Sequence, residues 1–292
     1  MPELPEVETM VRGIRPHVAG RLLLETEFCP CTRRPILVSP APHLMRRRLS
    51  GCIIRDVQRL AKRVVIEVSD DGRSTRKRVS SEFLVIEPRM TGLMLIADAP
   101  TQEHRRICWH LKPSRGKPSS FEFWDRRGLG TVRLLNETEF AELTRRLGPD
   151  ALTMTVPLWQ QQLGTTSRAV KVALLDQQRV SGIGNLYASE ILHRAGVSPQ
   201  TPSCRLTRRH WQGIAEATEH ILREAIRYEG STLSDGAYRN ALNKSGGYQN
   251  AHRVYDREGE LCPTCRRSRI RRIVQSQRST FFCPTCQRCR RW

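Results

Sequence analysis

The sequence predicts a multidomain α+β protein: an N-terminal helix with an antiparallel β-sandwich, then a helical domain, then a C-terminal β-hairpin braced by cysteines. Three observations carry this. Residues 22–135 break into short apolar runs separated by turn residues, as in sandwiches. After Asn136 the apolar spacing becomes helical, and two Cys-Pro-Thr-Cys motifs follow near the end of the chain. At 292 residues the chain exceeds one ordinary domain. The expected division is 1–135, a linker at 136–156, a helical domain at 157–245 and a cysteine module at 246–292.

In order, Val7, Met10, Val11 and Ile14 recur at helical spacing, and Pro5 suits a first turn where its missing N–H is not needed. Strands are expected over Leu22–Phe28, Cys52–Leu60, Val64–Val68, Phe83–Glu87, Leu93–Ala97, Ile107–Leu111 and Phe121–Trp124. The basic stretch from Asp70 to Arg78 reads as a hairpin loop. Glu137–Leu147 reads as a helix ended by Gly148-Pro149, with an irregular segment through Pro157. Helices follow over Arg168–Asp176, Leu186–Ala195 and Arg208–Tyr228. From Glu229-Gly230 a Gly- and Ser-containing loop leads into the cysteines.

Charge narrows the partners. Lys and Arg number 49 against 29 acids, a net charge of +20 with a pI near 10.5. Such a surface suits a polyanion, with nucleic acid ahead of an anionic membrane. No apolar run approaches the roughly 20 residues that span a bilayer, and the N-terminus lacks a signal peptide's pattern, so a soluble cytoplasmic protein is expected. Of ten cysteines, Cys29, Cys31, Cys52, Cys108, Cys204 and Cys289 show no pairing.

The other four make a pattern. Cys262-Pro-Thr-Cys265 and Cys283-Pro-Thr-Cys286, separated by 17 residues, place two pairs of thiolates where one tetrahedral ion can be closed. One structural zinc is expected. Six arginines between the pairs, Arg266, Arg267, Arg269, Arg271, Arg272 and Arg278, would make the hairpin a phosphate-binding arm. A second motif, Gly184-Asn185-Leu-Tyr-Ala-Ser-Glu190, is a glycine turn running into a helix, whose exposed amides suit an anion. The third is Pro2-Glu3. Once the initiator methionine is removed, proline's secondary amine becomes the N-terminus; such amines titrate near pH 8, roughly two units below lysine, and a neutral amine can form a Schiff base. Alone, Pro and Glu before an amphipathic helix are an ordinary helix start.

Together these motifs are informative. Pro2-Glu3-Leu4-Pro5-Glu6-Val7-Glu8-Thr9, Gly184 to Glu190, Gln277-Arg278-Ser279-Thr280-Phe281 and the paired Cys-x-x-Cys motifs resemble bacterial formamidopyrimidine-DNA glycosylase, across nearly the whole chain. The resemblance implies that the helical domain is a helix-two-turn-helix domain and that the cysteine module is a zinc finger, which together with the sandwich hold damaged double-stranded DNA. It implies a monomer, associated with the bacterial nucleoid, that excises oxidised purines such as 8-oxoguanine and formamidopyrimidines and then cleaves the strand by β,δ-elimination. By the same resemblance Pro2 is the nucleophile, Glu3 the acid for the sugar ring oxygen, Glu6 the organising carboxylate, Lys62 the phosphate-contacting lysine and Arg278 the finger arginine. Met90 is then the apolar wedge that fills the gap left by a flipped base, with Arg127, His104 and Asn185 as further DNA contacts.

One loop departs from the family pattern. In Asp125-Arg126-Arg127-Gly128-Leu129-Gly130, Arg127 keeps the first family arginine, while Arg126 replaces proline, Gly128 the second arginine and Leu129 the aromatic. Two rival readings stay open at this stage: an oxidised-pyrimidine glycosylase of the endonuclease VIII type, and a non-catalytic zinc-finger DNA-binding protein.

Overall fold

Helix α1 (Leu4–Val18) forms because its apolar residues fall on one stripe and its start is well capped. Glu3 is the N-cap and Glu6 the third helical residue, and the two cap each other reciprocally, with Pro5 in the first turn. Val7, Met10, Val11, Ile14 and Val18 point into the core of a sandwich. The computed structural model describes residues 2–70 and 81–288, which fall into two units. The first comprises Met1–Arg145 with Tyr228–Gln249, the second Arg146–Arg227 with Asn250–Trp292. Most of the expected Asp70 to Arg78 loop, and Cys289, lie outside the described residues.

In the first unit the chain runs through β1 (Leu23–Phe28), β2 (Leu37–Ser39), α2 (Pro42–Leu49), β3 (Ile53–Leu60), β4 (Arg63–Ser69), β5 (Ser81–Glu87), β6 (Gly92–Leu95), β7 (Arg105–Leu111), β8 (Ser120–Asp125), β9 (Thr131–Asn136) and α3 (Glu137–Arg145). Two sheets result, ordered β1-β7-β8-β6 and β2-β9-β5-β4-β3. Their apolar residues, including Leu23, Ile54, Val64, Ile66, Leu84, Ile86, Ile107, Trp109, Phe121 and Phe123, join those of α1 in one core. Among the described residues of this unit, the strand pairs are antiparallel except β2 with β9. The sandwich matches expectation, and the structure adds β2, β9 and α2. Helix α2 buries only Met45 and Leu49 beneath three consecutive arginines, a pattern that reads as polar in sequence. Tyr238 and Ala241, from the returning segment, complete the core.

The second unit is helical: α4 (Val156–Leu163), α5 (Val170–Leu174), α6 (Asn185–Arg194) and α7 (Arg208–Arg227), followed by the hairpin β10 (Arg271–Gln275) and β11 (Arg278–Phe282). Pro157, read from sequence as part of an irregular segment, lies in the first turn of α4, which buries Trp159 and Leu163. The helix expected over Arg168–Asp176 shortens to α5. Helix α7 buries Trp211, Ile214, Thr218, Ile221, Leu222 and Ala225, a stripe at 3.6-residue spacing.

Candidate active site and nucleic-acid interface

The N-terminal turn is a buried polar site in an apolar surrounding. Pro2 is buried, and Glu3 and Glu6 are 3% and 2% exposed. Glu6 accepts hydrogen bonds on both carboxylate oxygens, from the Glu3 N–H at 2.9 Å and from the Ser231 N–H, also at 2.9 Å. The second donor is possible because Gly230 passes very close. Its φ is +80°, and a Cβ there would sit 2.9 Å from Glu6 Cγ, Glu6 Oε1 and Tyr238 Cε1. Buried charge is stable only when hydrogen-bonded, and here two backbone donors hold a carboxylate beside Pro2.

Lys62 sits half-buried in the two-residue turn between β3 and β4, where Ala61 is left-handed with φ 56°. The turn is tied to α1: Arg59 donates to Glu8 Oε2 at 2.9 Å and to the Ala61 carbonyl at 3.1 Å. Burial opposes the Glu8 charge, but Arg12 and Arg59 outweigh it and hold the carboxyl below its ordinary pKa. Rigid elements thus fix both the N-terminal turn and the lysine turn.

Met90 and Arg127 come together. Met90 is 37% exposed, and Arg127 Nη1 lies 3.5 Å from its sulfur. Their loops are locked by Asp125, which is fully buried and accepts from the Thr91 hydroxyl, the Arg127 N–H and the Gly130 N–H. The departure at Gly128 has a steric reason. Its φ is +62° and a Cβ would lie 2.1 Å from the Arg34 carbonyl oxygen, so no larger residue fits this loop path. His104 is 8% exposed, pairs with Glu103 at 2.8 Å and packs edge-on against Trp124.

In the second unit Asn185 opens α6 after Gly184 and bridges two elements. Its Oδ1 accepts from Lys171 Nζ at 2.5 Å, and its Nδ2 donates to the Ser279 carbonyl at 3.0 Å. Lys171 is wholly buried. The next residue toward the hairpin turn is Arg278, exposed and paired with Gln275 across Ser276-Gln277. Both turn residues have positive φ, 46° and 60°, as a type I′ hairpin turn requires. Lys171, Asn185 and the base of the Arg278 turn therefore form one linked set. The six hairpin arginines are all exposed.

The four cysteines fit zinc. A tetrahedral ion with sulfur at about 2.3 Å needs sulfur–sulfur edges of roughly 3.8 Å. Cys262 and Cys286 are 3.9 Å apart, Cys265 and Cys283 3.6 Å, and all four sulfurs lie within 4.8 Å of one another. They are positioned to bind one zinc ion. Glu190 of α6 braces the approach to this module by accepting from the N–H groups of Arg253, Val254 and Tyr255 at 2.8–3.1 Å. Burial pushes the Glu190 carboxyl up, and these donors pull it back toward the charged form.

Sequence reasoning missed Lys171 and Ser231, and it named Gly230, Asp125 and Glu190 only as parts of a loop or motif, without their roles. Lys171 carried a signal, a single charge inside the apolar Val-Lys-Val-Ala-Leu run. Asp125 and Glu190 stood inside recognised motifs, while Gly230 and Ser231 gave no signal, because their roles depend on Glu6, a partner distant in sequence. No described helix is long and apolar enough to cross a membrane.

Comparison with known proteins agrees along the chain. Residues 1–132 match the formamidopyrimidine-DNA glycosylase N-terminal domain, 147–236 the H2TH domain of the same enzymes, and 259–288 the zinc finger found in FPG and IleRS. A formamidopyrimidine-DNA glycosylase of Chloroflexus aurantiacus is 37% identical over 289 residues, covering 98% of each chain. The crystal structure of the MutM (Fpg) protein of Thermus thermophilus superposes with a TM-score of 0.80 at 34% identity, covering 98% of each chain. The Lactococcus lactis enzyme in complex with DNA containing FAPY-dG gives 0.82 at 26%, over 98% of this chain and 100% of that one. With three domain models matched in chain order and a relative aligned from end to end, the chain belongs to the formamidopyrimidine-DNA glycosylase family.

Proposed function

We propose that this chain is a bifunctional DNA glycosylase and abasic-site lyase of base excision repair, acting on oxidised purines in duplex DNA, with Pro2 as nucleophile. The observation that carries the reading is the buried Pro2-Glu3 turn, whose neighbour Glu6 is pinned by two backbone donors. Once Met1 is removed, the Pro2 nitrogen is a neutral secondary amine for a useful fraction of the time.

The steps follow from that nucleophile. The amine attacks C1′ of the flipped nucleotide as the bond from C1′ to the base breaks, and the base leaves with the bonding pair and takes up a proton. Glu3 protonates the ring oxygen O4′; the sugar opens, the amine loses its proton, and an iminium joins C1′ to Pro2. Loss of a C2′ proton then expels the 3′ phosphate, a second elimination expels the 5′ phosphate, and water releases the sugar fragment from Pro2. Lys62 serves by holding phosphate and assisting proton transfer. Arg278 and Asn185 grip the backbone on the other unit, while Met90 and Arg127 enter the gap left by the base. His104, packed edge-on against Trp124, is a further DNA contact of the same unit. The four cysteines hold zinc, which supplies the fold of the finger and takes no part in bond making.

Borohydride trapping tests the nucleophile, and a lesion panel tests the substrate. Wild type is expected to form a covalent complex with 8-oxoguanine opposite cytosine, while Pro2→Gly traps far more slowly and N-terminal mass analysis shows Met1 absent. Preference for thymine glycol over 8-oxoguanine would move the substrate to oxidised pyrimidines. Binding without any trapping would leave only a DNA-binding protein.

A further inference from the structure

The outward face of the four-stranded sheet gathers donor atoms that the DNA chemistry does not use. On β7, Ile107, Trp109 and Leu111 belong to the core, so strand alternation turns Cys108 and His110 the other way. Glu27 on β1 pairs with Cys108 across the ladder, and Cys108 pairs in turn with Glu122 on β8. One carboxylate oxygen of Glu27, the Cys108 sulfur and a ring nitrogen of His110 all lie within 4.8 Å of one another. His110 Nε2 is already 3.0 Å from Glu27 Oε2. Cys29 stands two residues beyond Glu27, and its N–H donates to the Arg106 carbonyl at 3.0 Å, which keeps it on the same face.

The local charge is opposite to that of the molecule. In a chain of net charge +20, this patch carries Glu25, Glu27 and Glu122, and its nearby cation, Arg105, is engaged by Glu122 at 2.5 Å. A phosphate-binding role does not suit such a surface, whereas a cation does.

We propose that Glu27, Cys108 and His110 form a second metal site, separate from the four-cysteine finger, for a borderline divalent cation of the zinc type. One sulfur, one imidazole nitrogen and one carboxylate oxygen match zinc and its neighbours in the transition series, and not magnesium or calcium, which take oxygen alone. Tetrahedral coordination with these donors needs separations of roughly 3.2–3.8 Å. The Glu27–His110 pair, at 3.0 Å, is slightly closer than that, and both side chains are about two-fifths exposed, with room to move apart. Binding exchanges the ion for a proton: the Cys108 thiol gives one to solvent, while the imidazole of His110 offers the lone pair of one ring nitrogen and keeps a proton on the other. Three protein ligands leave a fourth position for water or for Cys29, as in open zinc sites.

The test uses the full chain with its finger loaded with zinc, dialysed against excess zinc and then measured by native mass spectrometry, with cobalt(II) absorption as the second readout. Two ions per chain are expected. His110→Gln, at a half-exposed position that does not threaten folding, and Cys108→Ser should each weaken the second ion by about tenfold or more while leaving the finger ion in place. The cobalt charge-transfer band contributed by a single sulfur should vanish in Cys108→Ser. One ion per chain at saturation, or a second ion retained by both variants, overturns the proposal.

Discussion

Glu6 has both carboxylate oxygens committed, one to its own helix start and one to Ser231, a residue 225 positions away. Glutamine offers one acceptor oxygen where two are used, and its amide group would face an N–H donor. Glu6→Gln should therefore destabilise the first unit by about 1–3 kcal/mol, read as a lower Tm, and slow borohydride trapping. Gly230→Ala tests the same geometry without touching a titratable group. Its added carbon would press on Glu6 at 2.9 Å in a left-handed backbone conformation. Displacement of the N-terminal turn, proposed to carry the nucleophile, by a fraction of an ångström should cost roughly 10- to 100-fold in trapping rate while zinc content stays unchanged. A Gly230→Ala enzyme that traps at the wild-type rate would show that Glu6 does not position Pro2. At this scale the sequence was legible where chemistry is local: the cysteine pairs announce themselves by type and spacing, whereas Pro2 and Glu3 alone read as an ordinary helix start and draw their roles from the family resemblance. Gly230 and Ser231 do not, because their importance arises only when a distant loop folds onto α1.

The β10–β11 hairpin presents Arg278 through a two-residue turn, and that turn is built from residues not ideal for it. Ser276 and Gln277 both hold positive φ, which asparagine and glycine adopt more readily. Replacing Ser276-Gln277 by Asn-Gly should keep cleavage and raise finger stability by about 0.5–1 kcal/mol. Proline at 277, which fixes φ near −65°, should instead misplace Arg278 and suppress strand cleavage while the zinc remains bound. Zinc content and cleavage measured on the same preparation separate the two effects; loss of zinc along with cleavage would mean that the turn supports the finger fold rather than the arginine. The Glu190 brace is a second element-scale case. Glu190→Gln keeps one acceptor oxygen for the Val254 and Tyr255 N–H groups but sets an amide donor against the Arg253 N–H, so hydrogen exchange at Arg253 should rise, with a loss of about 1–3 kcal/mol. Elements themselves were unevenly legible. The helical stripe of α7 and most sandwich strands follow from period alone, whereas α2 hides behind its arginines and α4 behind a proline that starts it. The segment from Tyr228 to Gln249 belongs to the first unit, a return that no local pattern announces.

Over the whole molecule, a charge of +20 means that DNA affinity is governed by counterion release, and the finger's share of that charge depends on zinc. The finger's own buried cluster is small: Val254, Cys262, Ile270, Phe281 and Cys283, two of them metal ligands. So few apolar residues cannot offset the conformational entropy of the hairpin, and metal binding free energy must supply the difference. The sandwich is different, since its core spans both sheets and α1 and includes none of the four finger cysteines. Chelation should therefore unfold the finger and leave the first unit folded, which far-ultraviolet circular dichroism and a persisting cooperative melt would report. The six exposed finger arginines, proposed as phosphate contacts, would then no longer be held in place. Each phosphate that is no longer neutralised should make the plot of log affinity against log salt shallower by about 0.9, so zinc removal should lower both the affinity and its salt dependence. Fluorescence anisotropy with abasic DNA between low and moderate salt, with and without chelator, measures this directly. An affinity that falls while the slope stays unchanged would mean that zinc acts through the shape of the protein, with the arginines remote from the phosphates.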